Sequence, residues 1–131
     1  MNRVALIELL RSRLHGLLAV YAFGSRVQGT AGERSDLDLA VLVQGYADPL
    51  VLWVLAGEAA DIAGCPVDLL DLRRASTVMQ QQVLMKGERW WATGQEVGLF
   101  ECAMLSEKLE LDRARAPLLR DIERDGRVYG R

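Results

Sequence analysis

Histidine, cysteine and excess basic charge are all scarce in this chain. His15 is the only histidine among 131 residues, which leaves little support for a Ser-His-Asp triad or a histidine-rich metal site. The two cysteines, Cys65 and Cys102, lack the spacing of a metal site, and one pair makes no disulfide framework. Both are expected to be small buried hydrophobes in a reducing, cytoplasmic setting. No apolar run approaches the roughly 18–20 residues that span a bilayer, and none reads as a signal peptide, so no membrane association is expected. Sixteen basic residues stand against 18 acidic ones, a net charge of −2. A protein that grips a nucleic-acid backbone normally shows a basic patch, and none is visible before the C-terminal tail. Direct nucleic-acid binding is therefore not expected, whereas a nucleoside triphosphate remains a suitable substrate. No internal repeat or low-complexity segment is evident.

Half of the residues are hydrophobic, enough for one domain with a real core. Residues 2 to 15 place Val4, Ile7, Leu10 and Leu14 at helical spacing among Arg3, Glu8, Arg11 and Arg13. Gly16 closes this helix, with His15 at its solvated end. Residues 17 to 23 are nearly all apolar and read as a central strand. A second apolar run ends at Val43, and a loop follows over 44–47. Asp48 and Pro49 then cap and open a helix, Leu50 to Ile62, that Gly64 stops. The aliphatic neighbours of Trp53 make it an expected core anchor. Residues 67 to 72 read as a third strand with two acids, Asp68 and Asp71. Thr77 and Gln80 fit a capping box for a helix that runs to Lys86, with Gly87 as its C-cap, and 88–92 form a last short strand.

The centre of this organisation is Gly24 to Asp38. A strand ends abruptly at Gly24-Ser25, a glycine-punctuated turn follows, and the next strand carries Asp36 and Asp38 at its start. Alternation places both carboxylates on one face of that strand. Two carboxylates held so close repel unless a cation sits between them. Oxygen-only ligation suits Mg²⁺, which takes one or two carboxylates and completes its shell with water and substrate phosphates. Gly24 and Ser25 offer an open backbone and a hydroxyl, as a phosphate-holding turn requires, and Arg26 adds charge there.

Gly24-Ser25, ten intervening residues and Asp36-Leu37-Asp38 resemble the Gly-Ser…Asp-x-Asp signature of the nucleotidyltransferase superfamily that includes DNA polymerase beta. The resemblance covers nearly all of residues 1 to 95 and is closest to the minimal nucleotidyltransferases. It implies an α/β (α+β) fold: a small mixed β-sheet flanked by helices, followed by a helical C-terminal tail. In that family a third carboxylate comes from a neighbouring strand. Asp68 is the candidate, as the first acid of a Val-Asp-Leu pattern, with Asp71 the fallback. The two sit at odd separation and should face opposite ways, so one alone can join the site. Asp36, Asp38 and Asp68 would then hold one or two Mg²⁺ ions, with Gly24, Ser25 and Arg26 on the nucleotide.

Two units are expected, a catalytic domain over 1–95 and a helical, partner-binding tail over 96–131. The tail interleaves Met104, Leu105, Leu109, Leu118, Leu119 and Ile122 with charged residues, Pro117 kinks it or starts a second helix, and the small domain leaves it little core to pack on. Segment 68–83 and the charged tail resemble the MntA-type branch, antitoxins encoded beside a HEPN-domain ribonuclease. That resemblance implies transfer of AMP from ATP to a tyrosine hydroxyl of the toxin. Two alternatives stand beside it: a stand-alone small-molecule adenylyltransferase, and an antitoxin that masks the toxin without catalysis.

Overall fold

A computed structural model describes residues 2–24, 36–107 and 109. Four strands form one mixed sheet in the order β3-β2-β1-β4. They are β1 (Leu17–Phe23), β2 (Leu37–Val43), β3 (Val67–Asp71) and β4 (Glu88–Ala92). β1 runs antiparallel to both β2 and β4, and β2 runs parallel to β3. The nearly all-apolar β1 is thus an interior strand, as its composition implies.

Alternation along β2 divides the core into two layers. Leu37, Leu39, Val41 and Val43 pack with Leu6 and Leu10 of α1 (Arg3–Arg13) and with Leu52, Leu55 and Ala59 of α2 (Pro49–Ala63). Ala40 and Leu42 face the other way, against Val83 of α3 (Thr77–Lys86) and Val97 of a further helix, α4, over 95–107. An ion pair of 2.7 Å between Arg13 and Glu58 joins α1 to α2, and one of 2.7 Å between Arg89 and Glu101 joins β4 to α4. Two arginines of α1 lie over the tryptophans of β4, Arg3 on Trp90 at 4.6 Å and Arg11 on Trp91 at 4.9 Å.

Helix α2 is bounded as its sequence signals require. The Asp48 carboxylate accepts from the Leu50 N–H at 2.9 Å, Pro49 opens the helix, and Gly64 closes it in the left-handed region at φ 75°. In α1 the buried residues are Leu6 and Leu10, Leu14 is buried at the C-cap where the helix ends before Gly16, and Val4 is exposed. The cap of α3 is Ser76, not Thr77: its hydroxyl accepts from the Met79 N–H at 3.2 Å. Gln80 is accordingly too far along for a capping box, and its amide donates instead to the Leu72 carbonyl at 2.9 Å, fastening α3 to the short helical turn Leu72–Arg74.

Gly87 ends α3 for a reason different from a left-handed cap. Its φ is −85°, and a Cβ there would stand 2.5 Å from the Val83 carbonyl oxygen and 2.7 Å from that of Ala22. Both obstacles are backbone, so neither can swing aside. Gly87→Ala is expected to destabilise the fold by about 1–3 kcal/mol through overpacking, read as a lower urea midpoint at unchanged slope.

Three side chains depart from their sequence expectations. Trp53 is 78% exposed on the outer face of α2 instead of anchoring the core. Its helix is apolar on nearly every side, and the sheet takes the Leu52–Leu55–Ala59 stripe. Cys65 is buried as expected, but Cys102 lies exposed on α4. The start of the tail does find core: Val97 is buried, and Phe100 packs against the same cluster as Tyr21 and Leu72. Expectations for Pro117, Leu118, Leu119 and Ile122 lie outside the described residues. No helix among those described is long and apolar enough to cross a membrane.

Candidate active site

Two neighbouring strands, β2 and β3, bring the candidate carboxylates to one end of the sheet, beside the end of β1. Phe23 of β1 pairs with Asp38 of β2, and Asp38 pairs with Asp68 of β3. Paired positions share a face, so Asp38 and Asp68 stand side by side on the face that α3 and α4 cover. Asp36 lies one residue before β2, exposed. Gly24 ends β1 at φ 84°, and a Cβ there would run into the Asp38 carboxylate. Glycine is therefore required twice over, by the left-handed backbone and by the carboxylate beside it. Ser25 and Arg26, the other expected phosphate ligands, lie outside the described residues.

The Asp38 carboxyl is pushed above its ordinary value, first by burial, then by the charges of Asp68 and Asp36, and also by a hydrogen bond with Asp68. Its folded value exceeds its unfolded one, so its contribution to stability is fully present below the ordinary carboxylate range and is lost as pH rises through the raised value. In EDTA, wild type is expected to lose stability relative to Asp38→Asn as pH climbs from about 4 toward neutrality. Urea unfolding of both proteins across that range measures it, and parallel pH profiles would refute it.

Asp71 takes no part in this cluster. It points to the opposite face, is only 4% exposed, and accepts from the Ala47 N–H at 2.8 Å and the Arg73 N–H at 3.0 Å. Arg74 lies 3.6 Å from the same carboxylate. The fallback acid is thus a structural clasp at the far end of β3, and Asp68 has the position a third ligand needs.

Divalent-cation binding can be judged from the donors themselves. Asp38 and Asp68 form a close pair on adjacent strands, and a cation between them would relieve their repulsion. One or two carboxylates suffice for Mg²⁺, which draws its remaining oxygens from water and phosphate. Among the described residues no three His, Cys, Asp or Glu side chains already converge at ligand spacing. The pair therefore fits Mg²⁺ as an open site that substrate completes, with Asp36 beside it.

Two hollows border the carboxylates. Phe23, Gly24, Met79, Gln82 and Lys86 line one of about 270 Å³, where α3 lies along the end of β1. A shallower cleft of about 680 Å³ runs from Trp53 and Gly57 on α2 to Pro66, Val67 and Asp68. Sequence reasoning missed Gln82 and Lys86 as neighbours of the turn, because their approach depends on how α3 packs and on no local motif.

Comparison with known proteins shows the family. The family model described as Polymerase beta, Nucleotidyltransferase matches residues 5–94. Protein adenylyltransferase MntA of Shewanella oneidensis is 38% identical over 122 residues, which span 93% of this chain and 88% of that protein. A crystal structure of a toxin-antitoxin with AMP-PNP contains a chain similar at TM-score 0.78 and 38% identity, covering 94% of this chain and 99% of that one. The structure of a tri-AMPylated Shewanella oneidensis HEPN toxin in complex with MNT antitoxin gives TM-score 0.71 and 35% identity, covering 93% and 96%.

Proposed function

We propose that this chain, which belongs to the polymerase beta nucleotidyltransferase family, is a protein adenylyltransferase that transfers AMP from ATP to a tyrosine hydroxyl of a HEPN-family toxin and so acts as its antitoxin. The observation that carries the reading is the ladder of Phe23, Asp38 and Asp68 across three adjacent strands, with Gly24 just past the end of β1. It sets an open backbone for phosphate oxygens beside two carboxylates at the end of a rigid sheet. The similarity to an adenylyltransferase and to antitoxin chains over nearly the whole length supports the acceptor class.

In this reading Asp36, Asp38 and Asp68 would hold Mg²⁺, which when bound screens the triphosphate and stabilises charge on the attacking and leaving oxygens. Gly24 leaves room for the Asp38 carboxylate, and Gly24, Ser25 and Arg26 are assigned to the terminal phosphates from the sequence. Asp68, on the edge strand, accepts the proton of the incoming tyrosine hydroxyl. The tyrosine oxygen bonds to the α-phosphorus, the bond from that phosphorus to the β-phosphate bridge oxygen breaks, and pyrophosphate leaves. Most of the acceleration comes from positioning and fixed charge, so no histidine is needed. The tail from residue 96 onward presents the partner, the 1–95 unit does the chemistry, and the setting is cytoplasmic.

Mass spectrometry of a HEPN protein co-expressed from the adjoining reading frame is the test. AMP on a tyrosine with wild type, and none with Asp36→Asn, is the expected result. Adenylylation of a free small molecule with an untouched HEPN protein would favour a stand-alone enzyme. Full neutralisation by the Asp36→Asn protein would favour masking.

A further inference from the structure

Asp38 is the midpoint of the candidate site, and its two flanks differ. On one side is β3 with the exposed carboxylate of Asp68, and on the other is β1 with Gly24 just past its end. Displacement at phosphorus proceeds in line, so the attacking and leaving oxygens stand on opposite sides of the α-phosphorus. An acceptor hydroxyl that gives its proton to Asp68 comes in over β3, which leaves the end of β1 for the pyrophosphate.

A cation stands on that side. Met79, Gln82 and Lys86 follow one another at three- and four-residue steps along one face of α3, and with Phe23 and Gly24 they line the hollow of about 270 Å³. Gly87 sets how near that face comes, because without a Cβ it lies against the Ala22 carbonyl oxygen and the Cβ of Phe23. Ala22 and Phe23 are the last two residues of β1 before Gly24. Backbone packing thus holds Lys86 at the strand end, while its side chain stays exposed. Among the described residues no carboxylate pairs with it, since the ion pairs there use Arg3, Arg11, Arg13, Arg74 and Arg89. Phe23 and Met79 make apolar walls, so charge brought into the hollow is screened less than in open water.

We propose that Lys86 is a further catalytic residue, whose ammonium donates to the pyrophosphate as it leaves. This rests on the proposed transfer of AMP. The tyrosine oxygen supplies the electron pair of the new bond to the α-phosphorus, and its proton passes to Asp68. The electron pair of the breaking phosphorus–oxygen bond stays on the bridge oxygen of pyrophosphate. Lys86 keeps its own proton and offsets the charge that appears there.

Calorimetry of the full-length chain with inorganic pyrophosphate and Mg²⁺ tests the assignment without any acceptor. Lys86→Met is expected to weaken pyrophosphate binding about tenfold or more, with AMP affinity kept within about twofold and the chain folded by circular dichroism. Lys86→Arg is expected to restore most of the pyrophosphate affinity. With the co-expressed HEPN protein as acceptor, Lys86→Met should also lower kcat for AMP transfer about tenfold or more. Wild-type pyrophosphate affinity in Lys86→Met would overturn the proposal, and so would a wild-type chain that binds no pyrophosphate. An equal loss of AMP affinity would put the retained half of the nucleotide in the hollow, and it would overturn the proposal too. Weakened pyrophosphate binding in Lys86→Met, beside a wild type that leaves the HEPN protein unmodified, would uphold Lys86 as the pyrophosphate ligand and count against the acceptor alone.

Discussion

Exchanging Asp36 and Asp38 together for asparagine is expected to reduce AMP transfer by about a thousandfold or more, equivalent to about 4 kcal/mol of transition-state stabilisation. Asparagine keeps the shape of each side chain and removes the charge a divalent cation needs. Asp38 sits at the start of an interior strand, and its value is already raised by burial and by two neighbouring carboxylates. The double variant should therefore fold at least as well as wild type without metal, and in EDTA its thermal midpoint should equal or exceed that of wild type. Labelled-AMP transfer and calorimetry on the same preparation give both readings. Transfer at the wild-type rate would remove these residues from the mechanism.

The second large effect is a dissociation between two aspartates three residues apart. Asp68→Asn should abolish transfer and barely move the unfolding midpoint, because Asp68 is exposed and faces the other carboxylates. Asp71→Asn should do the reverse. It replaces a buried carboxylate that receives two backbone N–H groups and lies against Arg74, at an expected loss of about 2–4 kcal/mol. Its activity per folded molecule should stay within a few-fold of wild type. Urea titrations paired with initial rates on the folded fraction separate the two. If Asp71→Asn were the inactive, stable protein, the assignment of faces along β3 would be reversed.

The opposite facing of Asp68 and Asp71 was legible in the sequence, because strand side chains alternate and odd separation forces opposite faces. The interior position of β1 was legible too, from an unbroken apolar run. Legibility failed where the pattern was saturated or doubled. Leu50, Val51, Leu52, Trp53, Val54 and Leu55 make α2 apolar all round, so periodicity cannot say that Leu52 and Leu55 go inward and Trp53 outward. Ser76 and Thr77 are adjacent hydroxyl residues, and local sequence does not say which of them caps the helix. The requirement for Gly87 comes from the Ala22 carbonyl, 65 residues earlier in the chain, which no local signal discloses. The core that receives Val97 and Phe100 was not legible, because the second layer, closed by α3, is visible only once the sheet is assembled.

The strand ladder that carries Asp38 and Asp68 also works as a proofreader of folding. Shifting β2 by one residue against its neighbours would turn Asp38 into the layer held by Leu6, Leu10 and Leu55, and would swing Leu37 or Leu39 out to the catalytic end. An ionised carboxylate among leucines is far costlier than any single contact in this core, so a slipped chain does not persist as a slightly impaired enzyme. Activity and correct assembly are thus quantised together. In a series of core variants of falling stability, specific activity divided by the folded fraction should stay flat until the fold is lost.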